Sequence, residues 1–334
     1  MSNANPSFGA QRLGAGSTSA LNLTQYAGEV LEAFEARRIM RDLIRTRSIS
    51  GAKSAQFPAF FKAWAGIHTP GNELLGQDIQ KTDVTVTVDG LLIHDVYVDR
   101  IDEMLTHYDL RGPYARAQGE GIARVYDVMA SQLVAKATDA AELFAGDGGG
   151  GKVTQSGTQD FTKSGLDLID ALAAAKLSRE ALDVDVDNLN AIFMPLQWSL
   201  IANSDKNINR DYGDSNIRNP SLDTMVGVRV HKSNAFAFGK DVTPYNAGTN
   251  ADGLVGHPTD IRRLPATLNA KYHRDMSKTV GLVFSDEAAA MLHVLDLNTE
   301  ATWDPRRRAT LLVAEMAAGG DVLRGKCAVE IKLP

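Results

Sequence analysis

Apolar positions recurring every three and four residues mark the clearest element of this chain. Ile122, Val125, Tyr126, Met129, Leu133, Ala137, Ala140 and Phe144 fall on one stripe, the spacing of a helix with a single buried face. Pro113 suits a first helical turn, where its missing N–H is no loss, and Gly146 suits a left-handed stop, so the pattern predicts a helix from Pro113 to about Ala145. At 1.5 Å per residue it would be about 50 Å long, unusual in a compact enzyme domain. Ahead of it, Val30, Leu31 and Phe34 form an apolar face behind a capping-box spacing at Asn22 and Gln25, which predicts another helix. Period two takes over at Val84, Val86 and Val88, alternating with Thr85, Thr87 and Asp89 as in a half-buried strand. With Ser54 to Phe61 as an outgoing arm, and Thr69, Pro70, Gly71, Asn72 and Gly76 as turn formers, residues 54 to 98 read as a long two-stranded excursion returning near Lys81.

Farther along, the pattern predicts a helix around Leu166 to Leu177 and a buried strand from Leu189 to Met194. Pro195 opens a short helix carrying Trp198, Leu200 and Ile201, and Val226 to His231 reads as a strand. The rest is strand-rich: Val280 to Phe284, Met291 to Leu297, Ala309 to Met316, and Lys326 to Lys332, where Cys327, Val329 and Ile331 alternate with Ala328, Glu330 and Lys332. Two stretches have no period. The first 20 residues hold too little apolar surface to offset ordering and are expected to form a mobile arm. Residues 236 to 279, with Gly, Asn, Thr and Pro, are expected to form an elaborated surface loop.

Composition narrows the class. With 334 residues, 44% hydrophobic and 23% charged, the chain is of ordinary soluble globular make-up, with length for two domains, which excludes a collagen-like, disordered or disulfide-scaffold protein. The N-terminal residues 1 to 10 have neither a basic region nor an apolar core and do not read as a secretory signal. Cys327 is the single cysteine, which excludes an internal disulfide or a multi-thiolate metal site and fits a reducing cytoplasm. The net charge of -6 argues only against a protein that coats nucleic acid with its whole surface. Charge is uneven along the chain, however. Arg37, Arg38, Arg41, Arg45, Arg47 and Lys53 face one acid, Asp42, whereas between 83 and 109 seven acids (Asp83, Asp89, Asp95, Asp99, Asp102, Glu103, Asp109) face one base, Arg100. Such blocks are solvated faces or docking surfaces for the opposite charge.

Motifs for chemistry are weak. Gly146 to Lys152 has P-loop spacing through the lysine, yet Val153 stands where magnesium needs a hydroxyl and the run follows a helix, so a flexible linker is the better reading. Asp183, Asp185 and Asp187 match the first ligands of a calcium loop, but Asn188 and Met194 occupy the positions of its Gly and bidentate Glu. The seven histidines never pair at metal-ligand spacing; His94 and His107 lie in the acidic block and read as structural or solvated. Arg306, Arg307 and Arg308 form a cluster suited to phosphate or to acids on a neighbouring surface. No catalytic, cofactor or metal site is expected, and an enzyme binding nucleotide through Lys152 is the weaker alternative.

At the level of order and spacing, the chain resembles a known family. Arg47-Ser48-Ile49-Ser50, Lys53 to Pro58, Asp89-Gly90-Leu91-Leu92, Asp95-Val96, and His107-Tyr108-Asp109 with Arg111, Tyr114, Gly119 and Glu120 resemble the major capsid proteins of T-seven-type short-tailed bacteriophages. Val280-Gly281-Leu282, Arg306 to Arg308 and Ala314 follow the same family. The resemblance implies the tailed-phage HK-ninety-seven-type fold of class α+β. Its N-terminal arm would be 1–50, its E-loop hairpin 51–98, its peripheral domain 99–165 completed by 285–334 around a long spine helix, and its axial domain 166–284. It implies subunits that join as hexamers and pentamers into an icosahedral shell around double-stranded DNA, in the company of a scaffolding protein and a portal and away from membranes. A cellular nanocompartment shell of the same fold is the other member of that class. The expected inter-subunit residues of the E-loop are Lys53, Gln56, Phe57, Val84, Val86 and Val88, the hairpin being too apolar to stay uncovered. Arg37, Arg38, Arg41, Arg45, Arg47, Arg306, Arg307 and Arg308 are expected to make charged contacts. Gly119 and Gly121 interrupt a good helix former at a cost of about 1 kcal/mol each, and either admit a close backbone or localise a bend of the spine helix during shell expansion.

Overall fold

The structure, a computed structural model, describes residues 18–63, 65–71, 73, 76, 78–99, 111–204, 224–233, 269–272 and 274–334. The expected arm up to residue 17 and most of the expected loop at 236 to 279 lie outside the described residues, as do Arg100, Asp102, Glu103, His107 and Asp109. Among the described residues the α-helices are α1 (Thr18–Arg37), α2 (Arg111–Ala137), α3 (Gly165–Glu180), α4 (Pro195–Ala202) and α5 (Asn269–Tyr272). The strands are β1 (Arg45–Ser48), β2 (Ser54–Phe60), β3 (Lys81–Thr87), β4 (Gly90–Asp99), β5 (Gly151–Thr154), β6 (Asn190–Phe193), β7 (Thr224–Met225), β8 (Val228–Lys232), β9 (Thr279–Phe284), β10 (Ala289–Asp304), β11 (Ala309–Val322) and β12 (Ala328–Lys332). The chain divides into two compact units: Met1–Arg38, Gly90–Tyr126 and His293–Ala318 form the first, and Ile39–Asp89, Asp127–Leu292 and Gly319–Pro334 the second.

In the first unit β11 runs antiparallel to β4, from Ala309 opposite Asp99 to Ala318 opposite Gly90. Even-numbered positions of β4 turn inward and odd ones outward, so Val98 is buried while Leu91, Ile93 and Tyr97 are exposed. The Gln118 amide of α2 donates to the Leu312 carbonyl at 3.0 Å and the His94 carbonyl at 3.3 Å, fastening the helix to both strands. Val30 and Phe34 of α1 are fully buried, as their spacing predicts, but Leu31 is exposed, and α1 begins at Thr18, so Asn22 lies inside the helix rather than at its cap.

The second unit is built on a six-stranded sheet in the order β5-β12-β9-β6-β8-β7. β12 pairs parallel with β5 and antiparallel with β9, and β6 pairs antiparallel with β9 and parallel with β8. Every residue of β6 and β9 is buried, the mark of strands covered on both faces. Leu168, Leu172 and Ala175 of α3 and Ile201 of α4 pack on this sheet with Phe193, Val230, Val283 and Ile331. α3 starts where Ser164 accepts the Asp167 N–H at 3.3 Å, and α4 starts on Pro195.

Three expectations are corrected here. The long helix ends at Ala137 and not near Ala145. Beyond it the Thr138 hydroxyl donates to the Ala135 carbonyl, Asp139 is drawn to Arg274 and Lys152, and Phe144 packs against Phe61 with ring centroids 5.4 Å apart. The glycine run is no flexible linker: Gly151 opens β5, and a Cβ at Gly150 would stand 2.3 Å from the Thr138 carbonyl oxygen. Nor does the last strand alternate between core and solvent. Cys327 lies in a 3-10 turn before β12, and Glu330 is buried, paired with Arg274.

Candidate functional site

The outgoing and returning arms at Ser54 and Lys81 form the hairpin the sequence predicts: β2 and β3 pair antiparallel from Ser54 opposite Thr87 to Phe60 opposite Lys81. Residues 90–98, expected to belong to this excursion, form β4 instead. Phe57 and Val86 are buried within the chain itself, 6% and 0% exposed, against Ala290, Leu292 and Leu323, with Val84 and Val88 half-buried beside them. That corrects the expectation that a second subunit must cover these two side chains, because the root of the hairpin already has a core. Arg45 and Arg47 of β1 stand over the Phe57 ring at 5.7 and 6.0 Å from its centroid, and the Arg47 guanidinium reaches the Gln56 carbonyl at 3.4 Å. Lys53 and Gln56 are exposed.

The apolar side chains left uncovered lie farther out. Phe60 is 60% exposed, Ile79 49%, and Ile67 fully so. None of the three carries a periodic signal: Phe60 ends the outgoing strand β2, and Ile67 and Ile79 flank the turn formers Thr69 to Gly76, where an isolated isoleucine is the legible sign. Among distal residues, Lys62 is tied down, pairing with Asp183 at 2.5 Å and holding that carboxylate below its ordinary range chiefly by its hydrogen bond. This same contact occupies the first position of the calcium-like triad.

Several of the basic side chains have partners in the chain. Arg37 pairs with Glu120 at 3.3 Å, Arg38 with Glu35 at 3.9 Å, and Arg307 stacks on Tyr97 at 4.5 Å. Arg306 and Arg308 are exposed at the tip of the β10–β11 turn, where Asp304 accepts the Arg306 N–H and Arg308 adopts a positive φ of 54°. Arg41 lies in the turn after α1. Of the acidic residues, Asp89 is bonded by Lys271 and Tyr272.

Gly119 and Gly121 both meet close neighbours. A Cβ at Gly119 would stand 2.4 Å from the Val30 carbonyl oxygen, and one at Gly121 would stand 3.0 Å from the His94 ring, so in this conformation each admits a close approach on α2, which runs unbroken through both. His94 Nδ1 is buried without a hydrogen-bond partner, and burial pulls its pKa below the ordinary histidine value. Lys152 pairs with Asp139 on the sheet edge.

The family model described as Gp10A-like major capsid protein matches residues 56–332, well over half of the chain. The major capsid protein of Escherichia phage T7 is 28% identical over 94% of this chain and 92% of its own. Among solved structures, the capsid of cyanophage P-SCSP1u aligns over 100% of this chain and 99% of its own, with a TM-score of 0.70 and 26% identity. The mature capsid of bacteriophage PhiM1 aligns over 89% of this chain and 87% of its own, with a TM-score of 0.65 at 18% identity, a likeness of fold. A chain with a tailed-phage capsid fold of class α+β, matched along most of its length by capsid subunits, belongs to the Gp10A-like major capsid protein family: it is a structural protein of a phage virion and not an enzyme.

Proposed function

We propose that this chain closes, as hexamers and pentamers, into the icosahedral head that encloses the double-stranded DNA of a tailed phage. The observation that supports this best is the outer part of the β2–β3 hairpin, where Phe60, Ile67 and Ile79 are exposed on a two-stranded ribbon of a kind that is marginal in water by itself. Covering each with a neighbouring copy contributes about 1.5 to 3 kcal/mol. Because every copy offers a hairpin and receives one, the contact is head-to-tail and generates rings. Lys53 and Gln56 border it. The basic segment 37–53 and Arg306 to Arg308 meet the acidic segment 83–109 of neighbours, with some arginines turned to packaged DNA. A scaffolding protein and a portal take part in assembly in the host bacterial cytoplasm. In a compact precursor, Gly119 and Gly121 give the long helix its bend.

The test is a variant in which Phe60 and Ile67 are both replaced by aspartate. It is expected to remain folded by circular dichroism and to form no closed shells in electron micrographs. Normal particles from that variant overturn the reading.

A further inference from the structure

Where β3 ends, two segments close on the chain. The first carries Gly319, where a Cβ would stand 2.4 Å from the Thr87 carbonyl oxygen and 2.7 Å from the Asp89 nitrogen, an approach only glycine allows. The second is α5. Tyr272, 1% exposed, donates its hydroxyl hydrogen to the Asp89 carboxylate and accepts the Gly320 N–H at 2.9 Å. The neighbouring Lys271 ammonium donates to the Thr87 carbonyl at 3.1 Å, the Thr87 hydroxyl at 3.3 Å and Asp89 at 3.1 Å. Lys136 in turn donates to the Lys271 carbonyl, tying α5 to the end of α2. Burial first, then the bond to Asp89, pushes the Tyr272 phenol far above its ordinary pKa, so it remains a donor.

Apolar contact resists separation but has no direction, and the root cluster of Phe57, Val86, Ala290, Leu292 and Leu323 alone would tolerate sliding. Hydrogen bonds have direction. Resting on the reading of the hairpin as the assembly element, we propose that Tyr272 and Asp89 are positioning residues for assembly, clamping the hairpin root so that the free subunit already presents the hairpin in its docking direction. A segment ordered in advance is not ordered at the cost of binding.

The experiment uses the full chain with Tyr272→Phe, Asp89→Ala and Asp89→Asn, measuring amide hydrogen exchange below the assembly concentration and particle formation by light scattering above it. Tyr272→Phe and Asp89→Ala are expected to speed exchange in β2 and β3 about tenfold and to raise the concentration at which particles appear. β6, β9 and β12 are expected to keep their exchange rates. Asp89→Asn, whose amide oxygen can still accept from the phenol, is expected to fall between these and the wild type. Unchanged hairpin exchange, an equal rise in the sheet, or a loosened hairpin with an unmoved assembly concentration would each overturn the proposal. A wild-type chain that forms no particles counts against the assembly reading instead, and the exchange pattern then decides the clamp.

Discussion

The six-stranded sheet and the β2–β3 hairpin belong to the same compact unit, yet they solve the problem of burial in opposite ways. In the sheet, β6 and β9 are buried at every position, and even charge is taken inside. Arg274 bridges Glu330 and Asp139, the Thr279 hydroxyl donates to Glu330, and Arg179 donates to the Lys326 and Gly149 carbonyls. Burial alone would lower the Arg274 pKa, but the hydrogen bonds it donates to Glu330 and Asp139 reverse this and leave it raised. In the hairpin the root is covered, and the outer side chains of Phe60, Ile67 and Ile79 face water. One region is complete within the chain; the other leaves apolar side chains exposed, for which we propose a second copy as the cover.

Breaking the sheet is expected to have the largest effect. Glu330→Ala removes a carboxylate whose side chain is 4% exposed, leaving Arg274, 12% exposed, with Asp139 alone of its two carboxylates and the Thr279 hydroxyl without this acceptor, so unfolding in denaturant is expected about 3 to 5 kcal/mol less stable. Within the hairpin, root and outer part should separate. Phe57→Ala is expected to lose about 3 to 5 kcal/mol in the same assay, whereas Phe60→Ala is expected to stay within about 0.5 kcal/mol while lowering particle yield. Equal stability losses at both would dissolve the distinction between them.

Glycines sharpen the contrast further. A Cβ at Gly150 would collide with the Thr138 carbonyl, while Gly66 in the hairpin has nothing within 4 Å. Gly150→Ala is expected to destabilise by about 1 to 3 kcal/mol, and Gly66→Ala to leave the melting temperature in place. The smallest effect is on acid sensitivity. Burial works to raise the Asp139 pKa, and bonds from Arg274 and Lys152 outweigh it; the hydrogen bond from Lys62 lowers the exposed Asp183. Both folded values lie below the unfolded value of 3.8, so both contributions are present above that pH and are lost as pH falls through the folded values. Molar salt at neutral pH is expected to erase the contribution of Asp183 and to spare that of Asp139, as denaturation of Asp183→Asn and Asp139→Asn with and without salt would show.

What was legible in the sequence follows the same division. Strict periods located α2 and the returning arm of the hairpin, because a stripe at 3.6 or 2.0 residues has few other uses, while short continuous apolar runs located the buried strands β6 and β9. Tertiary contacts hid the rest. The alanine-rich segment after Ala137 has helical composition, but Asp139 and Phe144 are claimed by Arg274 and Phe61. The glycine run looked loose because composition does not show that Gly150 lies against Thr138. Glu330 looked like a solvent position until Arg274, from an aperiodic stretch, supplied its counter-charge. The family was readable from the order of short motifs, whereas Tyr272 and its clamp carried no local signal at all.

The most direct test is a cryo-electron microscopy reconstruction of shells assembled from the purified chain. The account predicts that Phe60, Ile67 and Ile79, now 60%, 101% and 49% exposed, are covered by a neighbouring copy, while the six-stranded sheet is unchanged. Shells in which those three side chains still face water, or in which the sheet and not the hairpin is completed by the neighbour, would contradict it.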